Sequence, residues 1–149
     1  MDRAEEKIRM RILYAGDSEA GGAANYLLAI LHFLKADFIH APPGKVLRPA
    51  LFRRRFDAFL LSDFSKRDLP RLSENSLAEQ VKQGSGLLMV GGWGSFSGPG
   101  GGWRGSRVEK LLPVSCEGED DRVHLASGAH LVLKRGHPIL QGSASEPLP

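Results

Sequence analysis

The sequence is poor in cysteine and has no long hydrophobic run. Its 149 residues include one cysteine, Cys116, so no intrachain disulfide can form, and a reducing cytoplasmic environment is expected. No segment reaches the ~20 apolar residues that a membrane-spanning helix needs. The first residues, MDRAEEKIRM, contain acidic side chains and no apolar run, which does not fit a secretory signal peptide. We therefore expect a soluble protein without a membrane partner.

Aromatic residues are also scarce, at 7%, and the formal net charge is only +3. Much of the positive charge lies in Lys45, Arg48 and residues 53–55, and no aromatic stacking platform interleaves with them. We interpret this cluster as a solvated face, so nucleic-acid binding is not expected. The length and the 42% hydrophobic content fit one globular domain over residues 1–149.

Hydrophobic periodicity predicts strands that alternate with helices. Strands are expected at 8–17, 37–42, 56–63 and 86–92, helices at 23–37 and 76–84, a short helix at 107–113, and a β-hairpin over 121–134. Capping boxes at Ser76 with Glu79 and at Ser106 with Glu109 predict where two helices begin. This order predicts an α/β flavodoxin-like three-layer sandwich with a mainly parallel sheet in the order 2-1-3-4, plus the C-terminal hairpin. The fourth strand, GLLMVGG, is expected to be buried on both faces.

Sites in such sheets lie beyond the carboxyl ends of the strands. The loops that converge there are 16–22, 63–67 and 91–105. The candidate ligand-binding residues are Asp17, Ser18, Asp63, Gly91, Gly92, Trp93 and Ser95. The two glycines could expose N–H groups as an anion nest, whereas Asp17, Ser18 and Asp63 could equally cap turns.

Ser95 and Asp63 are candidate catalytic residues in these loops, and the pattern around Ser95 is incomplete. A hydrolase elbow reads G-x-S-x-G, but Trp93 and Ser97 stand where its glycines should be. An activated serine needs a nearby base, and the three loops contain no histidine. A hydrolase or transferase that uses Ser95, or the pair Asp17 and Asp63, is therefore the alternative hypothesis.

A metal site is not predicted, and no cofactor is expected. His124 and His130 would point to opposite faces of the predicted hairpin. Cys116 with Asp120 and Asp121 has no recognised ligand spacing.

The segment GSGLLMVGGWGSFSG, followed by GWRGSRVEKLLPV, resembles the strand, glycine turn and helix of class I glutamine amidotransferase-like proteins, in particular a bacterial branch of unassigned function. RILYAGDS, FLLSDFS, DDRV and HPIL resemble the same branch. The resemblance implies a flavodoxin-like sandwich and a cytoplasmic location. Relatives continue beyond HPIL, so we expect a C-terminally short version whose exposed sheet edge is covered by another subunit.

The residues that carry glutaminase activity in that superfamily do not match here. The family places a cysteine in a G-x-C-x-G elbow and a base in a later His-Pro-Glu. This chain has Ser95 after Gly94 and no elbow cysteine, and Ile139 follows His137-Pro138. We therefore expect a non-catalytic module that binds a small ligand or a protein partner, with Trp93, Phe96 and Trp103 as apolar contacts unless these rings fold back over the sheet end. Whether it is an enzyme stays open.

Overall fold

A computed structural model describes residues 10–18 and 25–128, together with 132, 136 and 138. Its strands are β1 (Arg11–Gly16), β2 (Asp37–Ala41), β3 (Ala58–Ser62) and β4 (Gly86–Val90), and its helices are α1 (Asn25–Phe33) and α2 (Arg71–Lys82). Three short 3-10 helices cover Pro49–Arg53, Lys66–Asp68 and Glu109–Leu111. Among the described residues, no helix is long and apolar enough to cross a membrane.

The four strands form one parallel sheet in the order β2-β1-β3-β4. This confirms the predicted order and the flavodoxin-like α/β fold. The chain leaves β1 towards one edge of the sheet and leaves β3 towards the other. Because such crossovers are right-handed, α1 and α2 lie on opposite faces of the sheet. All four carboxyl ends meet at one edge.

Each face of the sheet has its own hydrophobic cluster. On the α2 face, buried residues of β1 and β3 pack with Leu77, Phe64 and Trp103. On the α1 face, Tyr14 and Leu31 belong to a smaller buried cluster. Because side chains alternate along a strand, those of β1 contribute to both clusters.

Helix α2 begins five residues before the predicted start. Its N-cap is Pro70 and its first residue is Arg71, so the capping box predicted at Ser76 is wrong. Ser76 lies within the helix, where its hydroxyl donates to the Leu72 carbonyl at 3.1 Å, a bond that serine often makes inside helices. The predicted end is confirmed, because Gly84 has a left-handed φ of +105°.

Strand β4 is not buried on both faces, which corrects the prediction. Leu87 and Met89 pack against the α2-face cluster. Leu88 and Val90 point to the opposite face and are 48% and 39% exposed. The apolar run could not reveal this, because β4 is the last strand of the described sheet and no described helix covers it on the α1 face.

The later elements are shorter than predicted. Only half of the second predicted capping box is present: the Ser106 hydroxyl accepts the Glu109 N–H at 2.9 Å, but the Glu109 carboxylate accepts the N–H groups of Gly105 and Cys116 and not that of Ser106. A single 3-10 turn follows at Glu109–Leu111. Residues 121–128 contain a turn closed by the Gly128 N–H and the Leu125 carbonyl, and no strand. Most of the second arm of the predicted hairpin lies outside the described residues, so the hairpin stays a prediction.

Candidate functional site

The described parts of the three loops predicted to converge, 16–18, 63–67 and 91–105, meet at the carboxyl edge of the sheet. They surround a cleft of about 430 Å³ that opens on the α1 face. Its lining residues are Asp17, Tyr26, Leu27, Ile30, Ser62, Asp63, Val90, Gly91, Gly92 and Trp93. Five of the seven predicted ligand-binding residues are therefore in the lining, and Ser18 and Ser95 are not.

Ser95 is a buried structural residue rather than a displayed one. Only 1% of the residue is exposed to solvent. The hydroxyl donates to the Val90 carbonyl at 2.6 Å and accepts the Asp63 N–H at 3.2 Å. These two bonds connect the end of β4 with the loop after β3.

Asp63 connects the same loops from the other side. Its φ of +52° is left-handed, a conformation that aspartate tolerates better than most residues. Its carboxylate accepts the Gly94 N–H. A Cβ added to Gly92 would lie 2.7 Å from the Asp63 Cγ, so this close approach requires glycine. Asp63 thus caps a neighbouring loop and not the turn that follows it.

The two tryptophans have different roles. Trp103 is fully buried, and its indole N–H is shared between the carbonyls of Phe64 and Gly94, both at 3.0 Å. Trp93 is 65% exposed at the mouth of the cleft, with the Arg122 guanidinium 4.2 Å from its ring centroid. Trp103 has therefore folded back over the sheet end, whereas Trp93 faces the cleft.

Tyr14 and His40 form an aromatic pair next to the first loop, and this pair was not predicted from the sequence. The Tyr14 hydroxyl donates to the Asp17 carbonyl at 2.6 Å, and the His40 ring stacks on Tyr14. Burial raises the pKa of Tyr14, and the nearby Asp17 carboxylate raises it further. Asp17 also accepts the Ser18 N–H, the turn role that was the alternative to ligand binding. Strand alternation could have indicated Tyr14, but only the β1–β2 register shows that His40 lies beside it.

Helix α1 provides the apolar wall, which was also missed as part of the site. Tyr26 and Ile30 are one helical turn apart, and both are exposed towards the cleft. The i, i+4 spacing was visible in the sequence, but it gave no reason to place these residues next to Gly91 and Gly92.

The charge of the cleft argues against the predicted anion nest. Asp17 and Asp63 both line it, and no Lys, Arg or His is among the lining residues. The two carboxylates would repel an anion at the two glycines and would attract a cation or an N–H donor. No described group of His, Cys, Asp and Glu could hold a metal ion.

A family model described as "Putative glutamine amidotransferase" (GATase1-like) matches residues 56–148, well over half of the chain. The chain belongs to this family. The match begins just before β3 and includes β4 and the glycine loop, so it covers most of the cleft floor. None of the curated proteins compared with the chain matches it.

The glutamine amidotransferase-like chain has no thiol at the cleft. Cys116 is buried, and its N–H donates to the Glu109 carboxylate at 2.6 Å. Burial and the neighbouring Glu109 carboxylate raise the pKa of Cys116 from 9.0 to about 11, the opposite of what activates a nucleophilic thiol. His137 and Ile139, at the position that resembles the family's His-Pro-Glu, lie outside the described residues.

Proposed function

We propose that this chain is a non-catalytic amidotransferase-like module that binds a small ligand in the cleft at the carboxyl edge of the sheet. The observation that supports it is the contrast between Ser95, whose hydroxyl makes two internal hydrogen bonds, and the open cleft beside it. A serine nucleophile needs a base that takes its proton, and the Ser95 hydroxyl donates that proton to a backbone carbonyl instead. A binding site needs only a preformed concave surface with a few polar groups, and this cleft has the usual size for one.

The chemistry of the lining favours a small amine or another N–H donor with a flat apolar body. Asp17 and Asp63 supply hydrogen-bond acceptors and negative charge. Trp93 and Tyr26 supply two exposed aromatic side chains. The Arg122 guanidinium already stacks on the Trp93 ring. A ligand cation could stack on Trp93 in the same way.

A fluorescence titration tests this proposal. Phenethylamine should change the Trp93 emission with saturation, whereas phenylpropionate, of similar size and opposite charge, should bind at least tenfold more weakly. Trp93→Phe should abolish the change, since the other tryptophan is buried. Equal binding of both compounds, or a change that persists in Trp93→Phe, would contradict the proposal.

An enzyme assay tests the alternative. We expect no ammonia release from glutamine and no hydrolysis of ester or amide substrates. Turnover that is lost in Ser95→Ala, or in Asp17→Asn at unchanged stability, would instead support the hydrolase or transferase hypothesis.

A second copy of the chain is the protein partner that we propose. Large apolar side chains are exposed on α1 and β4 outside the cleft lining, with Phe33 84% and Leu88 48% exposed. Strand β4 has no charged residue to protect its outer edge. Light scattering should give a dimer for the wild type and a monomer for Phe33→Glu, and a monomeric wild type would contradict this. A cytoplasmic location is part of the same proposal, since the only thiol is unpaired.

A further inference from the structure

A second cavity, of about 480 Å³, lies at the carboxyl end of β2. Its lining residues are Ile39, His40, Ala41, Lys45, Val46, Leu47, Arg48 and Leu51. Ala41 and Leu47 form its buried floor and belong to the cluster on the α2 face. The ligand cleft opens on the α1 face, and the two cavities share no lining residue.

Residues 42–48 form one wall of this cavity, and hydrogen bonds to Asp68 and Ser73 hold this loop in place. Gly44 has a left-handed φ of +80°, and its N–H donates to the Asp68 carboxylate at 3.1 Å. The Leu47 N–H donates to the Asp68 carbonyl at 2.8 Å, and the Leu47 carbonyl accepts the Ser73 hydroxyl at 2.5 Å. The wall is therefore preformed, which lowers the entropy cost of binding.

The charge of this cavity is opposite to that of the cleft. Lys45 and Arg48 are exposed at its rim, and neither side chain makes an ion pair or hydrogen bond with any residue in 10–18 or 25–128. No carboxylate is among the lining residues. The nearby Asp68 is buried, and its carboxylate accepts the Gly44 N–H and lies 4.0 Å from the Arg67 guanidinium. Within the part of the chain that the structure describes, two cations thus have no partner beside an apolar floor.

We propose that this cavity binds a small amphipathic anion. A short alkyl or aromatic body would fill the space between Ile39, Val46 and Leu51, and a carboxylate or phosphate head would lie between Lys45 and Arg48. Arginine can hold either head by two parallel hydrogen bonds, and lysine adds a point charge. The apolar body provides selectivity over free inorganic anions, because its burial contributes in proportion to the area removed from water.

Amide-detected NMR titration with hexanoate, hexyl phosphate and the neutral hexanamide tests this site. We expect saturable shifts in residues 39–51 with either anion, and at least tenfold weaker binding of hexanamide. A lower Kd for hexanoate would assign a carboxylate head group to the ligand, and a lower Kd for hexyl phosphate would assign a phosphate. Equal binding of hexanamide, shifts confined to residues 90–93, or no saturation would overturn the proposal.

Charge variants separate a site from general attraction to a basic protein. Lys45→Gln with Arg48→Gln should weaken hexanoate at least tenfold. The matched control, Arg53→Gln with Arg54→Gln, removes the same charge from exposed positions outside the cavity and should change binding less than twofold. Equal weakening by both pairs would show nonspecific attraction and overturn the proposal. Neither result bears on the ligand cleft, whose lining is untouched.

Discussion

Replacing Ser95 by alanine separates a structural serine from a catalytic one. The substitution removes the hydroxyl that donates to Val90 at 2.6 Å and accepts from Asp63 at 3.2 Å. Each hydrogen bond contributes about 0.5–1.5 kcal/mol net, and a buried group left without a partner costs about 1–3 kcal/mol. We therefore expect Ser95→Ala to lower the free energy of unfolding by about 2–3 kcal/mol.

Urea unfolding followed by circular dichroism measures this loss. A loss of that size corresponds to a fall in Tm of about 4–12 °C in a chain of this length. The control is Ser97→Ala, whose hydroxyl makes one exposed bond to the Glu117 carbonyl that water can replace. We expect the control to lose less than about 1 kcal/mol. The reasoning is refuted if Ser95→Ala is as stable as the wild type, since a serine held free for chemistry costs little stability when it is removed.

Three further changes follow from other contacts. Gly94→Ala should lower the free energy of unfolding in urea by about 1–3 kcal/mol, because its Cβ would lie 2.9 Å from backbone atoms of the loop after β3. The matched Gly91→Ala, whose Cβ would have nothing within 4 Å, should be neutral. Equal effects of the two substitutions would contradict this. Trp103→Phe should cost about 2–4 kcal/mol in the same assay, since two buried carbonyls lose the indole N–H; a neutral result would show that they find other donors. Iodoacetamide should alkylate Cys116 slowly at pH 8, because a pKa of about 11 instead of 9.0 leaves about a hundredfold less thiolate. Glu109→Gln should speed the reaction by removing a charge that raises this pKa. An unchanged rate would refute the effect of Glu109 on the thiol.

The Cys116 pKa also predicts a pH dependence of stability. The folded-state pKa lies above the unfolded value, so the thiol is held in its protonated form more strongly in the folded protein. Its contribution is fully present below pH 9 and is lost as the pH rises towards about 11. The unfolding free energy should therefore fall over this range by less in Cys116→Ser than in the wild type, and parallel curves would contradict the assignment.

Local patterns were sufficient for the sheet but not for every helix boundary. The four strands were predictable because apolar runs ending in glycine or polar residues have few alternatives in an alternating α/β chain. The start of α2 was not, because Ser73 and Glu74, in its first turn, bond to Leu47 and to the N–H groups of residues 107 and 108, which lie far away in the chain. A capping box reports only the local competition for N–H groups.

The sequence by itself determined the strand order, the convergence of three loops and the lack of an elbow thiol, because each depends on residue type and chain order alone. The tertiary structure decided the rest. It made Ser95 a bridge between loops, buried Trp103 while exposing Trp93, and placed Asp17 and Asp63 together in the lining of the cleft. Those outcomes depend on which side chains meet across the sheet edge, and contacts between residues some 30 positions apart leave no periodic signal in the chain.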